Sequence, residues 1–138
     1  MTRTKLRENL YIMLFQSDFH GEEDLSEQVE MYLEDLEGAS KKAKAELKER
    51  FEAVISNLPA IDAKIEEKAE GWTVSRMAKA DLTVMRLAVF EILFDESVPN
   101  GVAINEAVNL AKTYGTEKAS GFINGVLASI VRELPEKE

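Results

Sequence analysis

The sequence predicts an all-α fold. Only three prolines and seven glycines occur among the 138 residues, and most of them separate segments whose apolar residues recur every three or four positions. That spacing places apolar side chains on one face of a helix, whereas alternating β-branched runs, which are typical of strands, are few. A hydrophobic fraction of 45% is ordinary for a globular protein. A chain of this length is therefore expected to form one compact unit or two small subdomains that share a core.

The first half of the chain predicts four helices. They are expected over residues 4–19, 24–36, 41–57 and 60–70. The third is rich in alanine, lysine and glutamate, which favour helix, and Pro59 suits the first turn of the fourth. The pair Gly71-Trp72 then marks a soft boundary. We expect an N-terminal helical bundle with a basic first helix over residues 1–70 and a C-terminal helical bundle over residues 71–138.

A nearly continuous apolar segment, residues 80–94, predicts a central helix that is buried on most faces. It follows a short helical piece around Trp72 and Met77. Charged residues in and before the central helix are expected to be paired, because an unpaired buried charge costs several kcal/mol. We expect an ion-pair network that contains Arg76, Asp81, Arg86 and Glu91; acid–base catalysis by these groups is the alternative.

Residues 102–127 predict two helices joined by a tight corner. Gly115 is expected to end the first helix in a left-handed conformation, and Thr116 is expected to cap the second. Gly121 and Gly125 lie four residues apart, so they share one helix face with Lys118, and each is about 1 kcal/mol less favourable than alanine there. We therefore expect a close approach to that face, either by a neighbouring helix or by a ligand backbone. Self-association through this face, which would give a homodimer, is an open alternative.

The charge of the chain is strongly segregated. The formal net charge is −9, which argues against general affinity for nucleic acids. Residues 21–40 contain eight acids and no base, whereas residues 1–20 contain three bases and two acids, and the other 98 residues contain 14 bases and 16 acids. One acidic segment thus supplies most of the negative charge, and a local basic patch is still compatible with the remainder.

The sequence carries no recognisable catalytic, metal or cofactor motif. It has no cysteine and a single histidine, His20, and it lacks a glycine-rich phosphate loop and a helical His/Glu metal pair. The apolar run near the start is too short for a signal peptide or a membrane span. We expect a cytoplasmic protein that is not an enzyme, binds no cofactor or metal and does not enter a membrane. Composition and spacing alone support only a helical interaction module.

Three segments resemble the family of bacterial transcription antitermination factors called NusB. The C-terminal signature VAINEAVNLAKTYGTEKASGFINGVL is similar to the family's INEA, LAK, YG and F-[VI]-NG string. The segment WTVSRMAKADLTVMRLAVFEILF resembles the family's W–R–D–LR-A–E-L block, and the basic start TRTKLRENLYIMLF is similar to its arginine-rich first helix. The resemblance covers the chain end to end, although residues 20–70 match only in helix layout.

The resemblance implies a fold of two small helical bundles packed across each other, and a function without catalysis. It implies binding of boxA RNA together with NusE, a small-subunit ribosomal protein, as part of the RNA polymerase antitermination complex that reads through terminators in ribosomal RNA operons. A helical protein-interaction module without direct RNA contact is the alternative, and an enzymatic role would need a separate catalytic chain.

The resemblance also assigns candidate residues. The RNA-binding candidates are Arg3, Lys5, Arg7, Tyr114, Lys118, Phe122 and Asn124. Cations suit phosphates, an aromatic ring suits base stacking and an amide suits base edges; core packing is the alternative for Phe122 and Tyr114. The candidates for contact with the ribosomal protein are Asp81, Val84 and Met85.

Overall fold

A computed structural model describes residues 1–137 of the chain. The described part is helical, with no strand, which confirms the predicted all-α class. The seven α-helices are α1 (Arg3–Ser17), α2 (Glu22–Asp35), α3 (Lys41–Ser56), α4 (Leu58–Lys68), α5 (Lys79–Phe94), α6 (Asn100–Tyr114) and α7 (Ala119–Arg132), and one 3₁₀ turn spans Val74–Arg76. All predicted helices are present, and their ends differ from the predicted ends by a few residues at most.

The chain divides into two compact units, Met1–Ile55 and a second unit that begins at Ser56. The expected division after residue 70 placed α4 in the first half, but α4 packs on α5 and α7. Its Ile61 and Ile65 are fully buried, and its Asp62 accepts two hydrogen bonds of 2.8 Å from the Arg86 guanidinium on α5. The division therefore lies before α4.

The first unit consists of α1, α2 and α3, which bury the apolar stripes that the sequence predicts. Leu10, Leu33 and Leu47 are representative, with exposed fractions of 2%, 6% and 0%. A polar link joins α1 to α2: the Tyr32 hydroxyl lies 2.6 Å from Asn9 Oδ1, and Asn9 Nδ2 donates to the Lys5 carbonyl at 3.0 Å. The buried amide of Asn9 is thereby satisfied, as buried polar groups require.

The second unit is built around α5, which confirms the predicted central helix. Helices α4, α6 and α7 all pack against it, and every residue from Leu82 to Ile92 except Arg86 is buried. A helix that is apolar on all sides is stable in water only when its neighbours cover it. The core of the unit therefore follows directly from the composition of this segment.

The predicted network of Arg76, Asp81, Arg86 and Glu91 is wrong, because three of these residues have other partners. Arg86 pairs with Asp62 on α4. Asp81 accepts hydrogen bonds from Thr116, and the Arg76 guanidinium carbon lies 5.7 Å from the centre of the Trp72 ring. Arg86 and Asp81 are thus each engaged by a different element, α4 and the corner between α6 and α7.

Candidate nucleic-acid interface

The basic start of α1 is engaged with carboxylates of its own unit. The Arg3 guanidinium donates two hydrogen bonds to Glu46 on α3, at 2.7 and 2.8 Å, and Lys5 Nζ lies 2.9 Å from Glu8. The hydrogen bonds from Arg3, offset in part by burial, lower the pKa of Glu46 from its ordinary 4.5 to about 2. These two cations are exposed but already partly neutralised.

Arg7 has a different position from the other two bases of α1. Its side chain is buried, with 8% of the residue exposed, and it has interactions of its own within the chain. A guanidinium in this position cannot reach a phosphate on the surface unless the helix rearranges. Of the three predicted cations on α1, only Arg3 and Lys5 are therefore accessible.

A cleft of about 480 Å³ opens on the second unit, between the segment before α5 and the corner between α6 and α7. We call it the Trp72 cleft. Its polar and aromatic lining consists of Trp72, Arg76, Asp81, Thr116, Glu117, Lys118 and Phe122. It combines two RNA candidates from the sequence, Lys118 and Phe122, with the partner candidate Asp81 and with four residues that the sequence interpretation did not assign to any binding site.

Two exposed aromatic rings form one side of the Trp72 cleft. Trp72 is 46% exposed and Phe122 38% exposed, and their ring centres are 6.1 Å apart at an angle of 58°. Arg76 lies over the indole in a cation–π arrangement. Core packing was the alternative for Phe122, and its exposure favours a surface role, since large aromatic side chains are normally well covered.

Asp81 holds the corner that forms the other side of the Trp72 cleft. One carboxylate oxygen accepts the Thr116 backbone N–H at 2.9 Å, and the other accepts its hydroxyl at 2.7 Å. Gly115 fits under this clasp because it has no side chain: a Cβ there would lie 2.7 Å from the Ala111 carbonyl oxygen and 2.9 Å from Asp81 Oδ1. Close approach, and not backbone freedom, therefore explains the glycine.

The predicted geometry of the corner is wrong in two respects. Gly115 is extended (φ −79°, ψ 174°) and Lys118 adopts the left-handed conformation (φ 70°) instead. Lys118, not Thr116, is the N-cap residue of α7, and no described side chain caps that helix end. The free N–H groups and the positive end of the helix dipole lie beside Lys118, an arrangement that favours anions.

Lys118 and Arg76 are both exposed, and neither forms an ion pair with any side chain that the structure describes. Glu117 adds a negative charge to the same lining. The Trp72 cleft thus presents two cations without an ion pair, together with the carboxylates of Asp81 and Glu117, next to two exposed aromatic rings. This combination suits a ligand that has a π surface together with anionic groups for the cations and hydrogen-bond donors for Glu117.

The glycine face of α7 is open. A Cβ added at Gly121 or at Gly125 would meet no atom within 4 Å, so within the described chain no neighbouring helix approaches these positions. This finding removes intramolecular helix packing as the reason for the two glycines. A ligand or a second molecule remains as the explanation for a close approach.

The other predicted site residues lie outside the Trp72 cleft. Asn124 is exposed on α7, and Tyr114 is half-buried at the end of α6, where it makes contacts within the chain. Val84 and Met85 are both 0% exposed, so they form core and cannot contact a partner that docks on the folded surface. Of the three predicted partner residues, only Asp81 lies at a cleft.

Trp72 and Arg76 are the site residues that sequence reasoning missed. One signal was present: the only tryptophan follows a glycine and precedes the central helix, outside any strong apolar stripe, with an arginine four residues later. The 3₁₀ turn at Val74–Arg76 brings these two side chains together. Had a short helix buried the indole instead, these two side chains would not be available at the surface.

The described residues contain no group of three or more histidines or acids placed to hold a metal ion. In the same part of the chain, no helix has both the length and the apolar character needed to cross a membrane.

Fold and site together define a small all-helical binding module. Residues 4–132 match the NusB family, and the chain belongs to this family. It is 45% identical over 128 residues to the transcription antitermination protein NusB of Agathobacter rectalis, an alignment that covers 93% of this chain and 98% of the relative. This confirms the family resemblance recognised in the sequence.

Solved structures agree with the family assignment. NusB of T. maritima superposes with a TM-score of 0.88 at 37% identity, over 96% of this chain and 92% of that one. A chain in a crystal structure of the antitermination factors NusB and NusE in complex with dsRNA superposes with a TM-score of 0.82 at 27% identity, over 97% and 100% of the two chains.

Proposed function

We propose that this protein is a transcription antitermination factor that binds boxA RNA together with the ribosomal protein NusE and promotes read-through in ribosomal RNA operons. The observation that carries the RNA part is the Trp72 cleft, where unpaired cations adjoin exposed aromatic rings. The similarity to a NusB chain that was crystallised with NusE and dsRNA supports the same function.

The proposed RNA-contacting residues fall into two groups. Lys118 and Phe122 line the Trp72 cleft and Asn124 is exposed on the same helix, while Arg3 and Lys5 are exposed on α1. Tyr114 and Arg7 are better interpreted as supporting residues because they are partly or fully buried. Cations of this kind bind phosphates, and an exposed ring offers a surface for base stacking.

The proposed partner is NusE, with Asp81 as the one remaining predicted contact. Because both carboxylate oxygens of Asp81 already accept hydrogen bonds from Thr116, its contribution would be to shape the corner more than to pair with a partner cation. We further propose that the chain acts in the cytoplasm within the RNA polymerase antitermination complex, and that it does so without catalysis.

The test is an RNA shift assay with a boxA oligonucleotide, with and without NusE, at several salt concentrations. We expect binding that is strengthened by NusE and that weakens with salt, with a slope of about −0.7 per phosphate neutralised on single-stranded RNA. A scrambled oligonucleotide of the same length measures the nonspecific contribution. Absence of RNA binding in the presence of NusE would contradict the proposal.

Two alternatives give distinct results in the same experiments. A protein-interaction module without RNA contact would bind NusE with no RNA-dependent shift and no phosphate-dependent salt slope. Self-association through the open glycine face would appear in light scattering as a dimer that RNA dissociates. Substitution of Arg3, Lys5 and Arg7 by alanine tests α1 separately, although Arg7→Ala also removes a buried side chain.

A further inference from the structure

Trp72 is placed unlike a structural tryptophan. Nearly half of its surface is exposed, although burying an aromatic ring of this size is among the largest single gains available to a folded chain. Its ring contacts are another exposed ring and a guanidinium. Exposed aromatic rings beside cations are characteristic of surfaces that bind single-stranded nucleic acids.

We infer that the Trp72 cleft seats one unpaired base of single-stranded RNA on the indole of Trp72, with Arg76 and Lys118 contacting the phosphates on either side. This inference rests on the proposed function and specifies its site. Phe122 forms the second aromatic wall, tilted at 58° to the indole, so it borders the base instead of sandwiching it.

The dimensions and charges of the Trp72 cleft fit this ligand. A volume of about 480 Å³ lies within the range of small-ligand sites, which is about 300–1,000 Å³. Two exposed cations line the cleft, and one of them, Lys118, is the N-cap residue at the uncapped start of α7, where a phosphate is stabilised by the helix dipole. Glu117 can accept a hydrogen bond from the exocyclic amino group of a base, as acidic side chains do with cytosine.

A peptide is a poorer match to the same features. A peptide ligand would have to supply an apolar or aromatic side chain for the indole and acidic groups for the two cations at the same time. An RNA strand uses both features at every nucleotide, since each carries a π face and a negative charge. The geometry therefore favours a nucleotide, and a peptide-binding role becomes an outcome of the test.

Trp72 is the only tryptophan of the chain, so its fluorescence reports on the Trp72 cleft alone. The protein is titrated with a single-stranded boxA oligonucleotide, with the same sequence as a duplex, with inorganic polyphosphate and with NusE. Stacking of a base on the indole is expected to quench the emission with the single strand. The duplex and polyphosphate, which offer no free base, should leave it nearly unchanged.

Affinity is then measured by a shift assay on variants whose folding is checked by urea unfolding. Trp72→Ala is expected to weaken binding of the single strand by roughly five- to hundredfold, the range for loss of one base stack, and Trp72→Phe should recover most of it. Phe94→Ala is the matched control, because Phe94 is 44% exposed on the same unit but pairs with Phe90 away from the cleft. Arg76→Ala tests the proposed phosphate contact in the same assay. Arg132→Ala, which removes an exposed arginine outside the cleft, is its control.

The outcomes separate this inference from the proposed function. RNA binding with no quench and with normal affinity in Trp72→Ala overturns the inference and leaves the function intact. A quench by NusE that the single strand does not increase, or an equal quench by duplex or polyphosphate, also overturns it, because the indole would then respond to protein or to charge and not to a base. If the wild-type protein binds no RNA with or without NusE, the proposed function and the inference fail together.

Discussion

The cations of α1 and those of the Trp72 cleft differ in what surrounds them. Arg3 and Lys5 lie within 2.9 Å of carboxylates, and Arg7 is buried. Arg76 lies over the Trp72 ring, Lys118 lines the same cleft, and neither has an ion pair among the described side chains. A basic stretch in a sequence is thus not the same as a basic surface in the fold, because local carboxylates determine how much charge remains available.

The difference has an energetic consequence for binding. An exposed ion pair contributes only about 0–1 kcal/mol to stability, but a cation that leaves a carboxylate for a phosphate gains only the difference between the two interactions. A cation that has no carboxylate partner gains the full free energy of its interaction with the phosphate. We therefore expect the Trp72 cleft to contribute more to RNA affinity than α1 does, although α1 holds more bases.

The largest effect on stability is expected from Gly115→Ala, because this substitution alters the Trp72 cleft and leaves α1 unchanged. The new Cβ would lie 2.7 Å from a backbone carbonyl oxygen and 2.9 Å from Asp81, and such overpacking costs about 1–3 kcal/mol. Urea unfolding measures the loss. Gly101→Ala is the control, because its Cβ meets open space; equal stability of the two variants would show that the corner is not tight.

A comparison of Lys118→Gly with Arg3→Ala tests the contrast directly. Glycine adopts the left-handed conformation of residue 118 without strain, so we expect Lys118→Gly to raise the free energy of unfolding by about 0.5–1 kcal/mol. The same variant loses a cation of the cleft, so its RNA affinity should fall about fivefold and the salt slope of binding should fall by about 0.7. Arg3→Ala should change affinity by less than about twofold because Glu46 already neutralises Arg3. Lys112→Ala, an exposed cation outside the cleft, is the control, and a larger effect of Arg3→Ala would reverse the comparison.

Gly125→Ala tests whether the open face of α7 serves the fold. Because nothing lies within 4 Å of the added methyl group, the helix should be stabilised by about 1 kcal/mol, as measured by urea unfolding. Gly125→Leu in the same folded background is expected to reduce RNA binding if the face meets RNA. A loss of stability in Gly125→Ala would mean that the face is packed after all.

The smallest effect is expected from Glu46→Gln, which unmasks Arg3. The pKa of Glu46 is lowered to about 2 in the folded protein, so its stabilising contribution is present above pH 4.5 and is lost as the pH falls towards 2. The side chains of Arg3 and Glu46 are substantially exposed. The free energy of unfolding of the wild type should therefore exceed that of Glu46→Gln at pH 7 by only about 0.2–1 kcal/mol. The two free energies should become equal as the pH falls towards 2.

The same variant should raise RNA affinity about two- to threefold, because a phosphate no longer competes with a carboxylate for Arg3. Glu49→Gln provides the control, since it makes the same change of charge at an exposed position of α3 without releasing Arg3. If both variants raise affinity equally, the effect comes from net charge and not from unmasking.

Much of the fold could be predicted because it depends on local pattern. Apolar periodicity located every helix, and the nearly continuous apolar run identified α5 as the buried centre. Val84 and Met85, which the family resemblance suggested as partner contacts, lie in this run and are fully buried, and a helix that is apolar on all sides gives no indication of which residues reach the surface.

The corner and the cleft depend on contacts between distant residues. The bond between Asp81 and Thr116 joins positions 35 residues apart, and the left-handed residue of the corner is Lys118 instead of Gly115, which no local rule for glycine anticipates. Arg86 likewise pairs with Asp62, 24 residues away. Residue type marked these positions as special, but only their spatial neighbours determined the role of each.

The burial of α5 has a consequence for the dynamics of the molecule. Amide hydrogens near its middle, around Leu87 and Val89, can exchange with solvent only when the surrounding helices separate, so their exchange should report opening of the whole unit. The first turn, which carries Asp81, is half-exposed and borders the cleft. Protection should therefore rise along a single helix from the ligand-facing end inward, so that the Trp72 cleft can adjust its shape while the core beneath it stays closed.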